Sequence, residues 1–205
     1  MCGRIYNIIP KTDGFETILG NWPDGGLQSY NIAPTKTVPI ITQGGTIQAR
    51  WGLIPSWSEE FKSKYSTFNA RVESVQEKIF FKNTWKAKRS CVVPIGGYYE
   101  WKKEESCKQP YAISYEEKPM FLAGLWERWK EHYSFTVLTQ QSAGGIQWVH
   151  DRMPVVLDPI SIETWINDFE IPENRTSWAD EVSCFMVSKS VNNPKNRSKH
   201  LLFNV

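Results

Sequence analysis

Cysteine and histidine are both scarce in this chain, and neither is arranged to hold a metal. The four Cys stand at positions 2, 91, 107 and 184 with no C-x-x-C pair, and none of the three His has zinc-finger spacing. A structural zinc site is therefore not expected. No run approaches the ~18 apolar residues of a membrane span. The start also lacks the apolar segment of a secretory signal, so a soluble intracellular protein with reduced thiols is expected. Excess charge is missing too: 24 Lys and Arg face 22 Asp and Glu, a net charge of +2. That balance neither demands nor excludes nucleic acid, and only clustering of the basic residues decides. Repeats and low-complexity stretches are absent.

Aromatic residues are plentiful. Ten Trp, eight Tyr and ten Phe make 14% of the chain, enough for either core packing or base stacking. Hydrophobic content of 40% and charged content of 22% are ordinary for a globular protein, and 205 residues suit one domain spanning 1–205.

The chain opens Met1-Cys2-Gly3-Arg4. Trimming of Met1 would leave an α-amine and a thiol on one residue, a 1,2-aminothiol that closes on aldehydes to a thiazolidine. Both groups titrate within reach of neutral pH, near about 8 and 8.5. Most cysteines only pack, so Cys2 needs chemical company before it counts as a nucleophile.

Residues 4–9 read as a short strand that holds Cys2 on sheet rather than on a frayed tail. Asp13 and Glu16 form a capping box for a helix carrying Phe15, Ile18, Leu19 and Trp22 on one face. A rigid loop at Tyr30–Pro34 leads to a hairpin of strands 38–42 and 46–51 around Gly44-Gly45. The segment 51–57 is aromatic and irregular, plausible as a pocket wall. In an extended run over 68–73, Asn69, Arg71 and Glu73 share one face, either a polar site or a solvated strand face. Ser74 and Glu77 form a second capping box, and Lys78, Lys82 and Lys86 then make a basic stripe on the following helix, with Lys88 and Arg89 beyond. Such a stripe is more often a solvated face than a phosphate track.

A buried strand spans 89–95, with Cys91 as inert core. Gly96-Gly97 allows a turn or a close backbone approach before Tyr98-Tyr99-Glu100-Trp101. Glu100 between aromatics is placed for acid/base work if it points inward, and is an ordinary strand residue if outward. Strands at 111–116, 120–126 and 133–140 read as an antiparallel meander, with Cys107 an exposed thiol in the preceding loop. His150, before Asp151-Arg152, has the best claim among the His to a functional role. Asp158 and Pro159 start a helix to about 169, and residues 183–189 form a last strand before a basic, Asn-rich tail. The fold class expected is α+β, a mainly antiparallel, barrel-like sheet with flanking helices.

Six segments, taken together, resemble the SRAP (SOS response-associated peptidase) family: Met1–Arg4, Tyr30–Pro34, Arg50–Pro55, Asn69–Glu73, Tyr98–Trp101 and His150–Pro154. They follow the family's order across nearly the whole chain. The resemblance implies a monomeric protein that crosslinks covalently to abasic sites in single-stranded DNA. It implies Cys2 as nucleophile, Asn69 and His150 as positioning or protonating groups, and Glu100 as acid/base. Arg71 and Arg152 would hold phosphates, with Arg4 and Thr139 as further DNA-binding positions. Gly-Tyr-Tyr-Glu-Trp stands where the family commonly has Gly-Phe-Tyr-Glu-Trp, a neutral change because an aromatic is kept. The chemistry calls for no cofactor, and "peptidase" refers to self-removal of Met1. The expected location is the cytoplasm near the nucleoid in a bacterium, or the nucleus in a eukaryote. A second reading is an N-terminal-nucleophile amidohydrolase in which the Cys2 amine serves as base. A third is a non-covalent nucleic-acid module.

Overall fold

The computed structural model describes residues 2–9, 29–62, 64–173 and 175–204; the helix expected over 13–22 lies outside them. Among the described residues no helix is long and apolar enough to cross a membrane. Twelve strands are described. In chain order these are β1 (Arg4–Tyr6), β2 (Thr37–Thr42), β3 (Gly45–Trp51), β4 (Asn69–Arg71), β5 (Ser90–Ile95), β6 (Gly97–Lys103), β7 (Lys108–Ser114), β8 (Met120–Trp129), β9 (His132–Gln141), β10 (Arg152–Pro154), β11 (Val156–Leu157) and β12 (Ser183–Met186). Two α-helices are described, α1 (Lys82–Lys86) and α2 (Pro159–Asn167), giving an α+β fold.

Five strands, in the order β9-β3-β2-β5-β8, close into a barrel because β8 also pairs with β9. The β2–β3 hairpin turns where Gly45 adopts φ +104°, a conformation that disfavours any side chain. Central β5 is buried at every position, as its unbroken apolar run requires. Inside, Trp51 stacks on Phe135 with centroids 6.4 Å apart and meets Phe68 edge-on at 6.0 Å. Its indole Nε1 donates to Phe68 O at 2.9 Å, so the largest core residue also satisfies its polar atom.

A second sheet, β1-β6-β7-β12, is antiparallel throughout. Here the structure corrects the meander. Strand β7 pairs with β6 and β12, whereas β8 and β9 belong to the barrel, so of the three strands only β8 and β9 pair with each other. Strand β1 ends at Tyr6, shorter than expected, because Asn7 turns to the loop: its N–H donates to Ser29 O, and its Oδ1 accepts from Ser29 N. Strand β12 ends at Met186 because the ladder then meets Pro110, which accepts from Val187 N but has no N–H to return.

The two helices seal the barrel. Asp158 caps α2, its Oδ1 accepting from Ser161 N at 2.8 Å, with Pro159 in the first turn as the sequence suggests. Wholly buried Trp165 donates to Cys91 O at 3.0 Å and so fastens α2 to β5. Thr84 of α1 donates to buried Glu127 of β8 at 2.8 Å, and Arg89 pairs with the same carboxylate. The capping box at Ser74 and Glu77 starts no helix; residues 72–81 form successive turns, and Glu77 N donates to Ser74 O. The basic stripe is broken accordingly. Lys78, Lys82 and Lys86 are all exposed, but only the last two share α1.

Gly97 faces Tyr6 across the β1–β6 pair, and a Cβ there would fall 2.6 Å from Ile113 O and collide with the phenolic end of Tyr6. Gly97→Ala is therefore expected to destabilise the protein by about 1–3 kcal/mol through overpacking, read as a lower urea midpoint.

Candidate active site

Strand β9 changes neighbours along its length, and that exchange assembles the site. Its first half lies between β3 and β8, with Ser134 and Phe135 paired to Arg50 and Trp51. Past Val137 the barrel strands diverge. Strand β4 takes one side, with Asn69, Ala70 and Arg71 opposite Val137, Leu138 and Thr139, and β10 takes the other, with Arg152 opposite Gln141 and Pro154 opposite Thr139. Two motifs about eighty residues apart are thus brought to the same end of one strand. Within β4 the alternation holds: Ala70 is buried, while Asn69 and Arg71 face the other way.

Cys2 is wholly buried in the main core, in one cluster with Ile5, Tyr98, Ile113 and Met153. The antiparallel register Arg4↔Tyr99 and Ile5↔Tyr98 carries the N-terminus toward Glu100. Asn69 Nδ2 donates to Cys2 O at 2.6 Å, which fixes the orientation of that amide because a carbonyl can only accept. Asn69 Oδ1 is buried and has no hydrogen-bond partner among the described residues. Glu100 is 4% exposed and points inward, where Oε1 accepts from Trp101 N at 3.1 Å. Burial, then the Glu100 carboxylate, push the Cys2 thiol well above its ordinary range, so it is neutral at pH 7. The Tyr98 phenol is driven up by burial and by the nearby Cys2 and Glu100 charges, which puts all three side chains in one buried neighbourhood.

The other expected residues are placed as follows. His150 is partly exposed; its Nδ1 accepts from Arg152 N at 2.9 Å and lies 2.7 Å from Asp151 Oδ1. Those two contacts need opposite protonation states of one nitrogen. The backbone bond belongs to the approach to β10, whereas Asp151 is 83% exposed. Arg152 makes a bidentate pair with Glu73, both bonds 2.8 Å, and donates to Thr139 O at 2.8 Å. That hydrogen bond draws the Glu73 carboxyl below its ordinary range. Thr139 is itself wholly buried with its hydroxyl directed to Ala70 O, so what it offers is the carbonyl that holds Arg152. Arg71 is exposed at the end of β4.

Arg4 is engaged inside the protein. One amino group donates to Asn31 Oδ1 and Val191 O, both at 2.7 Å, and the guanidinium lies 5.8 Å over the Trp101 ring. Asn31 is a residue the sequence reading passed over. Buried in the Tyr30–Pro34 loop, it donates to Val191 O, Asn193 O and Asn196 O and so fastens the C-terminal segment beside β1. Its signal was an Asn at a loop position too apolar for solvent. Among the described residues no three His, Cys, Asp or Glu gather as a metal site.

Glu100→Gln removes one of the two causes that raise the Cys2 thiol. The thiol titration, followed by the Cys2 Cβ chemical shift in ¹³C-cysteine-labelled protein, is expected to move to lower pH yet stay above the ordinary value, because burial is the larger cause. An unmoved titration would mean that the carboxylate does not reach the thiol.

Comparison with known proteins gives a consistent account. The family described as SOS response associated peptidase (SRAP) matches residues 1–194. The abasic site processing protein YoaM of Bacillus subtilis (strain 168) is 35% identical, with 98% of this chain and 97% of that protein covered. The abasic site processing protein HMCES of Xenopus tropicalis is 32% identical over 87% of this chain and 68% of its own length. A crystal structure of a Bacteroides thetaiotaomicron protein superposes over 100% of both chains with a TM-score of 0.79 at 20% identity, which speaks to the fold. With six ordered motifs, the barrel and a family match over nearly its whole length, this chain belongs to the SRAP family.

Proposed function

We propose that this protein processes abasic sites in single-stranded DNA by capturing the lesion covalently at Cys2. The observation that carries the reading is a second residue buried among the amide of Asn69 and the carboxylate of Glu100. Packing alone gives no reason to bury a carboxylate beside a thiol, which costs desolvation on both. A reaction that must move protons at that thiol does.

The chemistry begins with hydrolysis of the Met1–Cys2 bond, assigned to the same site, which frees the α-amine. Asn69 Oδ1 is an open acceptor for an amine hydrogen while Nδ2 keeps hold of the Cys2 carbonyl. Open-chain abasic deoxyribose presents an aldehyde at C1′. The amine adds to C1′, the carbinolamine loses water, and a Schiff base forms. The amine acts first and the thiol second. Sγ then adds to C1′, the thiol proton passes by way of Glu100 to the nitrogen, and the thiazolidine closes with one water as the sole by-product. Both nucleophiles sit on one residue, so the second step is intramolecular.

In this reading His150 exchanges a proton with the sugar O4′ hydroxyl as the ring opens. Arg71, exposed, takes phosphate bidentately. Arg152 reaches phosphate only in competition with Glu73, so it contributes mainly by fixing the β4–β9–β10 junction. The partner is single-stranded DNA and the working form a monomer.

With an abasic single-stranded oligonucleotide, the wild type is expected to yield a denaturation-resistant complex and an intact mass showing loss of Met1 plus the DNA adduct. Cys2→Ala is expected to yield neither adduct nor complex, and persistence of the complex in that variant would overturn the mechanism. Affinity for undamaged single strands should fall with salt, with a log–log slope of about −0.7 per phosphate contacted. Arg71→Ala should flatten that slope by about one such contact.

A further inference from the structure

Trp148 stands two residues before His150, and neither the fold nor the chemistry above uses it. It is 49% exposed, unusual for so large an apolar surface, yet its position is fixed. Its Nε1 donates to Gly145 O at 2.8 Å, Tyr111 meets its ring near-perpendicularly with centroids 4.9 Å apart, and Lys102 Nζ lies 4.9 Å from its ring centroid. A core tryptophan would be covered, and a tolerated surface one would not be held from three directions. This one is rigid and presented.

Its surroundings indicate the occupant. Trp148, Lys102 and Lys103 line a cleft of about 450 Å³ together with Trp101 and His150, a volume suited to a small organic group. Two ammonium groups face it against the single carboxylate of Asp151, so the cleft favours an anionic ligand with a flat aromatic part. Glu100 is registered across β6–β7 opposite Tyr111, the residue that meets the Trp148 ring, and His150 lines the cleft, so the cleft opens beside the chemical centre.

We infer that Trp148 is the stacking platform for the base of a nucleotide adjacent to the abasic residue, with Lys102 meeting the phosphate that joins the two. The Lys102 ammonium rests on the ring by a cation–π contact. A base displaces it from the ring, and the displaced ammonium then neutralises the neighbouring phosphate. Stacking of this kind tolerates every base because each has a π-face, so the platform would anchor a lesion that has no base of its own to recognise. The inference rests on the proposed abasic-site reading, since it places the platform relative to the lesion.

The test uses oligonucleotides with one abasic residue, in which the neighbouring nucleotide on the 5′ or the 3′ side is either intact or replaced by a tetrahydrofuran spacer that carries neither base nor aldehyde. For the wild type, removing the base on one side is expected to raise the half-saturating concentration for crosslinking by roughly 5- to 100-fold, the range for loss of one stacked base. Trp148→Ala should show that elevated value already with the intact oligonucleotide and no further response to the spacer, while Trp148→Phe recovers most of the difference. A misfolded variant would lose maximal yield and melting temperature rather than base dependence. If Trp148→Ala responds to the spacer as the wild type does, or matches wild-type half-saturation, the platform is wrong. The same oligonucleotides read by fluorescence anisotropy report the base dependence without any crosslink, so a protein that never crosslinks would refute the covalent reading and still decide this one.

Discussion

The hydrogen bond from Asn69 to the Cys2 carbonyl, 2.6 Å long, is the constraint on which the rest of the site depends. Chain ends are ordinarily solvated and mobile, and ordering one costs on the order of 1–2 kcal/mol per residue in backbone entropy. Here the second residue is seated between the two sheets: β1 pairs it toward β6, and Asn69, delivered by β4, closes the other side. Each attachment alone would leave the terminus a hinge. Together they hold Cys2 from both sides.

That arrangement also accounts for the electrostatics. Burial, and then the adjacent carboxylate, raise the Cys2 thiol above its ordinary range. The polar pieces around it are secured in turn by groups with no direct part in the reaction. Glu73 and the Thr139 carbonyl fix Arg152, and Asn31 fixes both Arg4 and the C-terminal segment. Arg4 and Thr139, read from motif resemblance as DNA-binding positions, are turned inward and act on the protein itself in this conformation.

Much of the local architecture was legible in the chain. The 38–42 and 46–51 hairpin, the largely apolar, wholly buried β5 and the Asp158-Pro159 helix start follow from alternation, turn glycines, an apolar run and capping, each of which needs only neighbouring residues. Ser74 and Glu77 misled because a capping box needs a helix to cap, and the residues after it form turns leading only to the single short helix of Lys82–Lys86. The meander misled because consecutive strands usually pair, whereas β7 is claimed by β6 and β12 on the other sheet.

By itself, the sequence determined the kinds of groups available and their local form: an aminothiol precursor at the start, an amide and a guanidinium alternating on one strand, and a carboxylate among aromatics. It also determined the family, since six ordered motifs are a linear property of the chain. Only the tertiary structure decided that Glu100 points inward, that Arg152 is already paired with Glu73, and that Trp148 is presented in a cleft beside His150. The physical reason lies in β9. A side chain's face follows from alternation along its own strand, but which distant residues share that face depends on register and on where β3 and β8 give way to β4 and β10, pairings set by the closure of the whole barrel.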